Sequence, residues 1–395
     1  MKVGVPKESF PGERRVALVP AAIAPLAKAK IEVVVETGAG ALSGFADAEY
    51  ESKGARVGSR ADAFGADVVV QVRTCGANPT AGRADLALFR KDQVVVGFCE
   101  PLAAPELSAE IAKKGVALFS MELVPRITRA QAMDALSSMA TIAGYKAVLL
   151  AASTAPRMFP LLMTAAGTIK PARVLIVGAG VAGLMAIATA RRLGAVVEAY
   201  DVRAAVKEQV ESLGAKFVVL ELATAGSEDK GGYAKAQDAA FYARQQELMG
   251  KVVAGNDIVI TTAAVPGKKS PILVTAQMVA GMHPGSVIVD LAAEKGGNCE
   301  LTKADETVVA HGVTILGPTN LPSTIPHHAS QMYAKNVSNV LLHLVKDGKV
   351  QFDLEDQITR ESFVTRGGEV VHLRVRDLLS PTVPAFGDGK IAVGP

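Results

Sequence analysis

Short runs of β-branched residues alternate with alanine-rich segments along the first 120 residues. Residues 3–5, 32–35, 67–72, 93–98 and 116–119 read as strands, with helical stretches such as 21–30 and 106–114 between some of them. Apolar strands separated by helical patterns predict parallel βαβ units. Residues 128–152 carry few breakers and much Ala, Met and Leu, which predicts one long helix ended by Pro156 and Pro160. A second series begins at Arg173, with strands expected at 173–177, 196–200, 216–220, 257–262, 286–290 and 314–316. Beyond Pro318–Pro322 the pattern changes to a helix over about 328–345 and then a charged tail, 347–377. A tail with no evident core of its own is expected to return to the first domain. The expected fold class is therefore α/β, with two Rossmann-like doubly wound parallel-sheet domains. The divisions are a discontinuous N-terminal domain (1–125 with 326–395), a connecting helix with a loop (126–155) and a second domain (156–325).

Composition narrows the class. The 395 residues hold 42 Lys+Arg against 39 Asp+Glu, a formal charge of +3, so no electrostatic footprint for nucleic acid is present. A mean hydropathy of +0.27 excludes a largely disordered chain. Cys75, Cys99 and Cys299 are far apart in sequence, which argues against a zinc cluster and suits a reducing compartment. The N-terminus lacks the apolar run of a signal peptide. The longest strongly apolar stretch is read as 174–190, 17 residues with three glycines. That is short of the ~20 residues a spanning helix needs, and a soluble protein is expected.

The sharpest local signal is Arg173-Val-Leu-Ile-Val-Gly178-Ala179-Gly180-Val181-Ala-Gly183. Gly178 suits a tight turn, Gly180 lets a pyrophosphate approach the backbone, and Gly183 allows helix to pack closely on strand. The helix that opens there offers N–H groups and positive dipole to phosphates. The next strand ends at Asp201, whose carboxylate could accept both ribose hydroxyls of an NAD adenosine and repel a 2′-phosphate. The plain alternative is an ordinary glycine turn with Asp201 capping a helix. Arg203 pulls the other way, since it could pair a 2′-phosphate. Asp201, at the strand end, is expected to decide for NAD(H).

At this point the chain resembles a known family along nearly its whole length. Lys2-Val-Gly-Val-Pro-Lys-Glu8 and Gly12-Glu-Arg-Arg15-Val-Ala-Leu-Val-Pro20 resemble the opening shared by alanine dehydrogenases and proton-translocating nicotinamide nucleotide transhydrogenases. The segments 121–138, 163–168, 201–212, 231–235, 260–263, 266–268 and 290–298 are similar to the transhydrogenase alpha subunit specifically. The resemblance implies an NAD(H)-binding component that passes hydride to NADP(H) while protons cross a membrane. It implies that Arg126, Gln131, Asp134 and Ser137 hold the nicotinamide, with Arg126 and Asp134 on amide and ribose or pyrophosphate, and Gln131 and Ser137 on the ring carboxamide. Without the resemblance, Arg126 and Asp134 would read as solvated charges at a helix start. Ile127, Thr128, Val202, Arg203, Gly232, Gln245 and Ala264 are implied as further contacts. Tyr233 would ride on a polar, glycine-containing loop, 224–232, and close over bound nucleotide.

The resemblance also implies partners. In some family members the alpha subunit is split, with its soluble piece as a separate polypeptide, and this chain resembles that piece. The partners are then a beta subunit carrying the NADP(H) site, the membrane-spanning remainder of the alpha subunit, and a second copy of this chain in a homodimer. The chain would lie in the cytoplasm, peripheral on the inner face of the plasma membrane through those partners. Two readings compete. Alanine dehydrogenase chemistry needs a carboxylate-binding Arg, a Lys near the carbonyl and a His acid–base. Arg15 survives, but Arg73 stands where that family has Lys, Glu294 stands for its Asp, and Cys99 or Glu100 lies near its His. No His precedes His283. The pair His327–His328 is expected to cap a helix rather than bind metal. The other reading is a catalytically silent NAD-binding module.

Overall fold

The structure, a computed structural model, describes residues 1–220, 239–263 and 269–379, without the side chains of 239–243 and 245. Two twisted sheets form its centre. In the first, the strand order is Arg56–Gly58, Glu32–Glu36, Lys2–Val5, Val68–Arg73, Val94–Phe98, Ala117–Ser120. These pair in parallel, with Val3 between Val33 and Val68. Phe363–Arg366 then adds antiparallel to Ala117–Ser120 and turns back as Glu369–Val370. The charged tail thus completes the first sheet. The second sheet repeats the same order with Lys216–Phe217, Val196–Tyr200, Arg173–Val177, Ile258–Thr261, Val287–Asp290 and Val313–Leu316. Thr307–Ala310 closes its edge antiparallel to Val313–Leu316.

Strands covered on both faces read as continuous apolar runs, and the valines of both sheets are buried accordingly. The helices lie on both faces in each half, which is the two-domain Rossmann-like arrangement expected.

The helix expected over 128–152 is divided. Thr128–Met133 is a 3-10 turn, Asp134 leaves helical geometry at ψ 87°, and Ala135–Thr154 follows. The cause is local: the Asp134 carboxylate accepts the Ser137 N–H, so Asp134 starts a helix instead of continuing one. Ala135, Met139 and Ile142 belong to the core of the first sheet, and Ala147, Val148 and Ala151 to that of the second. One helix therefore supplies both cores and is apolar all round. Among the described residues it, rather than 174–190, is long and apolar enough to cross a bilayer. It packs here between Val181–Arg192 and Pro326–Leu344. A small hairpin, Leu162–Thr164 with Gly167–Ile169, exposes Leu161, Met163 and Ile169.

Candidate functional site

Both sheets reverse strand order beside their first strand, and in open α/β sheets ligands bind at the carboxyl ends of the strands at such a point. In the second sheet this is where Gly178–Gly183 lies. Gly178 has φ +98°, a conformation that excludes most side chains. A Cβ on Gly183 would sit 1.9 Å from the Gly178 carbonyl oxygen, so helix Val181–Arg192 packs on the strand only with glycine there. A Cβ on Gly180 would meet nothing nearer than Arg203 Nη2 at 3.9 Å. The outer side of the turn is thus open, and the first turn of a helix leaves N–H groups without intrahelical partners. These residues fit a dinucleotide pyrophosphate.

Asp201 is nearly buried and ties this turn together. Its Oδ2 accepts the Ala179 N–H at 2.7 Å and Arg203 Nη2 at 2.8 Å. Its Oδ1 accepts the Arg203 backbone N–H at 2.8 Å and Nε at 2.9 Å. It therefore pairs with the very arginine expected to compete with it, and the short helical segments that follow take no cap from it. Val202 is half-buried beside it.

The second group forms at the start of the connecting helix. Ser137 Oγ donates to Asp134 Oδ2 at 2.6 Å, Arg126 Nη2 lies 3.5 Å from Ser137 Oγ, and Arg126 Nε lies 3.7 Å from Asp134 Oδ2. The structure brings these three together. Gln131 and Thr128 stand exposed on the 3-10 turn, and Ile127 packs on the first core. Ten residues past Asp134, about 15 Å along the helix, a Cβ on Gly144 would lie 2.1 Å from the Ala182 carbonyl oxygen. The helix that carries the loop thus touches the helix that leaves the glycine turn. Gly232, Tyr233 and Ala264, with the loop 224–232 and the segments 231–235 and 266–268, lie outside the described residues. Gln245 is on helix Ala239–Ala254, its side chain likewise outside the description.

The first sheet's reversal point is filled by its own side chains. Glu8 accepts the Val72 and Arg73 N–H groups at 2.6 and 3.1 Å. Burial, with Glu13 nearby, pushes the Glu8 carboxyl up to about 8. Glu13 takes a two-pronged bond from Arg15 (Nε 2.7 Å, Nη2 2.6 Å) and a contact from Arg73 Nε at 3.3 Å. Burial raises this carboxyl, but Arg15 outweighs it and holds Glu13 down at about 2. Arg15 Nη1 points to Met139 Sδ at 3.1 Å, and Arg73 Nη1 lies 3.5 Å from Glu294 Oε1. Cys99 is fully buried, and burial next to Glu122 raises its thiol far above the usual range.

Sequence reasoning missed Glu13 as the partner of Arg15, and the spacing Glu13-x-Arg15 was its available signal. The expected cap by His327–His328 is corrected. Ile325 holds the cap position, and His327 stacks on Phe45 with Nδ1 2.9 Å from the Ser43 carbonyl oxygen. A ring held by its contacts in another loop cannot serve its own helix end.

Two family descriptions match the chain, Alanine dehydrogenase/PNT N-terminal domain at residues 4–143 and C-terminal domain at 147–373. The chain belongs to the alanine dehydrogenase/PNT family. It is 46% identical to the first polypeptide of the split NAD(P) transhydrogenase alpha subunit of Rhodospirillum rubrum, over 94% of this chain and 98% of that one. A transhydrogenase structure from Sinorhizobium meliloti superposes with TM-score 0.82 at 43% identity, covering 94% of this chain and 99% of that one. An L-alanine dehydrogenase structure gives TM-score 0.80 at 29% identity, covering 96% and 99%. Identity is thus higher on the transhydrogenase side of the family. The family membership makes the chain a nicotinamide-dinucleotide-binding member of an oxidoreductase family.

Proposed function

We propose that the chain is the NAD(H)-binding component of a proton-translocating transhydrogenase, passing hydride between NAD(H) and NADP(H) held by a partner. The observation that carries the reading is the commitment of Arg15 and Arg73 to Glu13 and Glu294. An amino-acid dehydrogenase needs its arginine for the substrate carboxylate and a proton-transfer group near pH 7 beside the carbonyl. Here Arg15 already holds a carboxylate, and Cys99 is buried with its proton retained. Transfer between two nicotinamides needs no proton donor, but it does need orientation and exclusion of water.

When bound, the dinucleotide supplies hydride at the nicotinamide ring. The glycine turn would hold its pyrophosphate and Asp201 its adenosine ribose. Arg126, with Asp134 and Ser137 fixing its direction, would orient the nicotinamide end, Gln131 reaching the carboxamide from the exposed turn. We assign Ile127, Thr128, Val202, Arg203, Gly232, Tyr233, Gln245 and Ala264 as further contacts. NAD(H) is favoured over NADP(H) in this reading because Asp201 keeps an anionic carboxylate against the turn. The proposed partners are an NADP(H)-binding beta subunit, the membrane-spanning remainder of a split alpha subunit and a second copy of this chain. That assembly would hold it in the cytoplasm against the inner face of the plasma membrane. The hairpin that exposes Met163 at 72% is the apolar surface we assign to self-association. The domain division follows the sequence boundaries, 1–125 with 326–395, then 126–155 and 156–325.

Stopped-flow transfer with an NADP(H)-loaded partner tests the site. Arg126→Ala or Gln131→Asn should slow transfer by up to ~100-fold, as a misplacement of about 1 Å can, with NADH affinity nearly kept. Lost affinity at an unchanged transfer rate would reduce the loop to simple binding. For the dimer, Met163→Asp should shift sedimentation to monomer, and an unchanged dimer would remove the hairpin from the interface.

A further inference from the structure

The two ends of the dinucleotide site stand on different domains. The glycine turn and Asp201 belong to the second sheet, and the Arg126–Ser137 loop leaves the first. One short turn of the second domain, Ala293–Lys295, meets the first domain through two ion pairs of opposite sense. Glu294 Oε1 lies 3.5 Å from Arg73 Nη1, and Lys295 Nζ lies 2.7 Å from Glu100 Oε2. Neighbours of opposite charge are matched by opposite charges, so a slip of one residue would set like on like.

Each contact leads on to the nicotinamide loop. From Arg73 the chain of contacts runs through Glu13 and Arg15 to Met139, on the helix that Asp134 caps. From the other contact, Glu100 holds φ +45°, a left-handed conformation that costs a residue with a side chain about 1–2 kcal/mol. The Glu100 and Cys99 N–H groups both donate to Glu122 Oε1, at 2.8 and 2.7 Å. Glu122 lies four residues before Arg126. The turn itself is fixed. The fully buried Asp290 carboxylate accepts the Ala292, Asn298 and Cys299 N–H groups, and Gly296 and Gly297 close the loop at φ +95° and +79°. Two paths therefore leave one rigid turn and arrive on either side of the loop.

The ion pairs themselves are half-wet, with the side chains of Glu294, Lys295 and Glu100 46%, 35% and 37% exposed. Pairs of that kind add little to folding stability, which leaves placement as their contribution. We propose that Glu294 and Lys295 form a charge-crossed clasp that sets the nicotinamide loop at its working distance from the glycine turn. They are positioning residues, acting through Arg73 and Glu100, and the assignment rests on the hydride-transfer reading of the site.

The test uses the full chain and its NADP(H)-loaded partner. Lys295→Glu and Glu100→Lys should each slow stopped-flow hydride transfer roughly ten-fold, with calorimetric NADH affinity changed less than about three-fold. The double variant Glu100→Lys/Lys295→Glu restores the pair with its sense reversed and should recover most of the rate. A second readout is the distance between spin labels on Ser52→Cys and His311→Cys, both exposed, with the three native thiols buried. Its distribution should broaden in each single variant and narrow again in the double. Loss of NADH affinity in step with rate, no recovery in the double variant, or an unmoved distance distribution would overturn the clasp. A wild-type chain that passes no hydride would instead remove the hydride-transfer reading, and the distance cycle would still decide whether the clasp exists.

Discussion

The two sheets share one strand order, and at the point where that order reverses they hold opposite things. After Arg173–Val177 the chain offers backbone: a glycine turn and a helix start, open on the outside. After Lys2–Val5 the chain supplies its own anion, since Glu8 occupies the N–H groups of Val72 and Arg73, and Glu13 occupies Arg15. One half is built to receive an anionic ligand, while the other has satisfied its donors internally. The same architecture thus carries a binding site or a structural core according to a few residues past the first strand.

The contrast can be broken at several points. The largest effect is expected in the filled half. Glu13→Ala leaves Arg15, 4% exposed, with its buried charge uncompensated, and should destabilise the chain by about 3–5 kcal/mol in denaturant titration. A change under about 1 kcal/mol, the worth of an exposed pair, would mean that the pair is replaceable and the half is not filled in the sense argued. Next comes the open half. Gly183→Ala forces a Cβ to 1.9 Å from the Gly178 carbonyl oxygen and should weaken NADH binding roughly 100-fold by spoiling the turn. Calorimetry on the variant, with circular dichroism as a folding control, checks this, and normal affinity would dissociate the turn from the nucleotide.

Asp201→Asn should narrow the preference for NADH over NADPH about ten-fold, because it removes like-charge repulsion of a 2′-phosphate. Equal affinities for both dinucleotides in the wild type would contradict the reading of Asp201. The smallest effect is a slope. Glu8 titrates near 8 in the fold against an ordinary carboxylate value of 4.5, so the folded state holds a proton that the unfolded state has lost. Stability should therefore fall as pH rises from about 4.5 to 8, by at most about 1.4 kcal/mol per pH unit from this group. Glu122, pushed up to about 7 by burial and by Glu100, adds in the same direction. Glu13, held near 2, works oppositely, its contribution being present above about 4.5 and lost as pH falls toward 2. Glu8→Gln should flatten the decline above pH 4.5, and an unchanged slope would assign it elsewhere.

The same contrast explains what the sequence made legible. Central parallel strands are apolar on both faces, so Val68–Arg73 and Val94–Phe98 stand out as runs. Arg56–Gly58 and Thr307–Ala310 escaped because edge strands are short and partly exposed. The division at Asp134 escaped because a capping aspartate and a helical aspartate differ by one side-chain bond. The glycine turn was readable since each glycine answers a backbone requirement that leaves no other choice. The pairing of Arg15 with Glu13, and its reach to Met139, was not, since side chains 124 positions apart in sequence meet through tertiary packing alone.

One assay bears most directly on the central claim. The purified chain is given NAD with L-alanine, and then NADH with an NADP(H)-binding partner subunit and a nicotinamide analogue whose reduction is visible. The account predicts negligible alanine oxidation, and hydride exchange that depends on the partner. Robust alanine oxidation by the chain alone, or no exchange with a cognate partner, would contradict it.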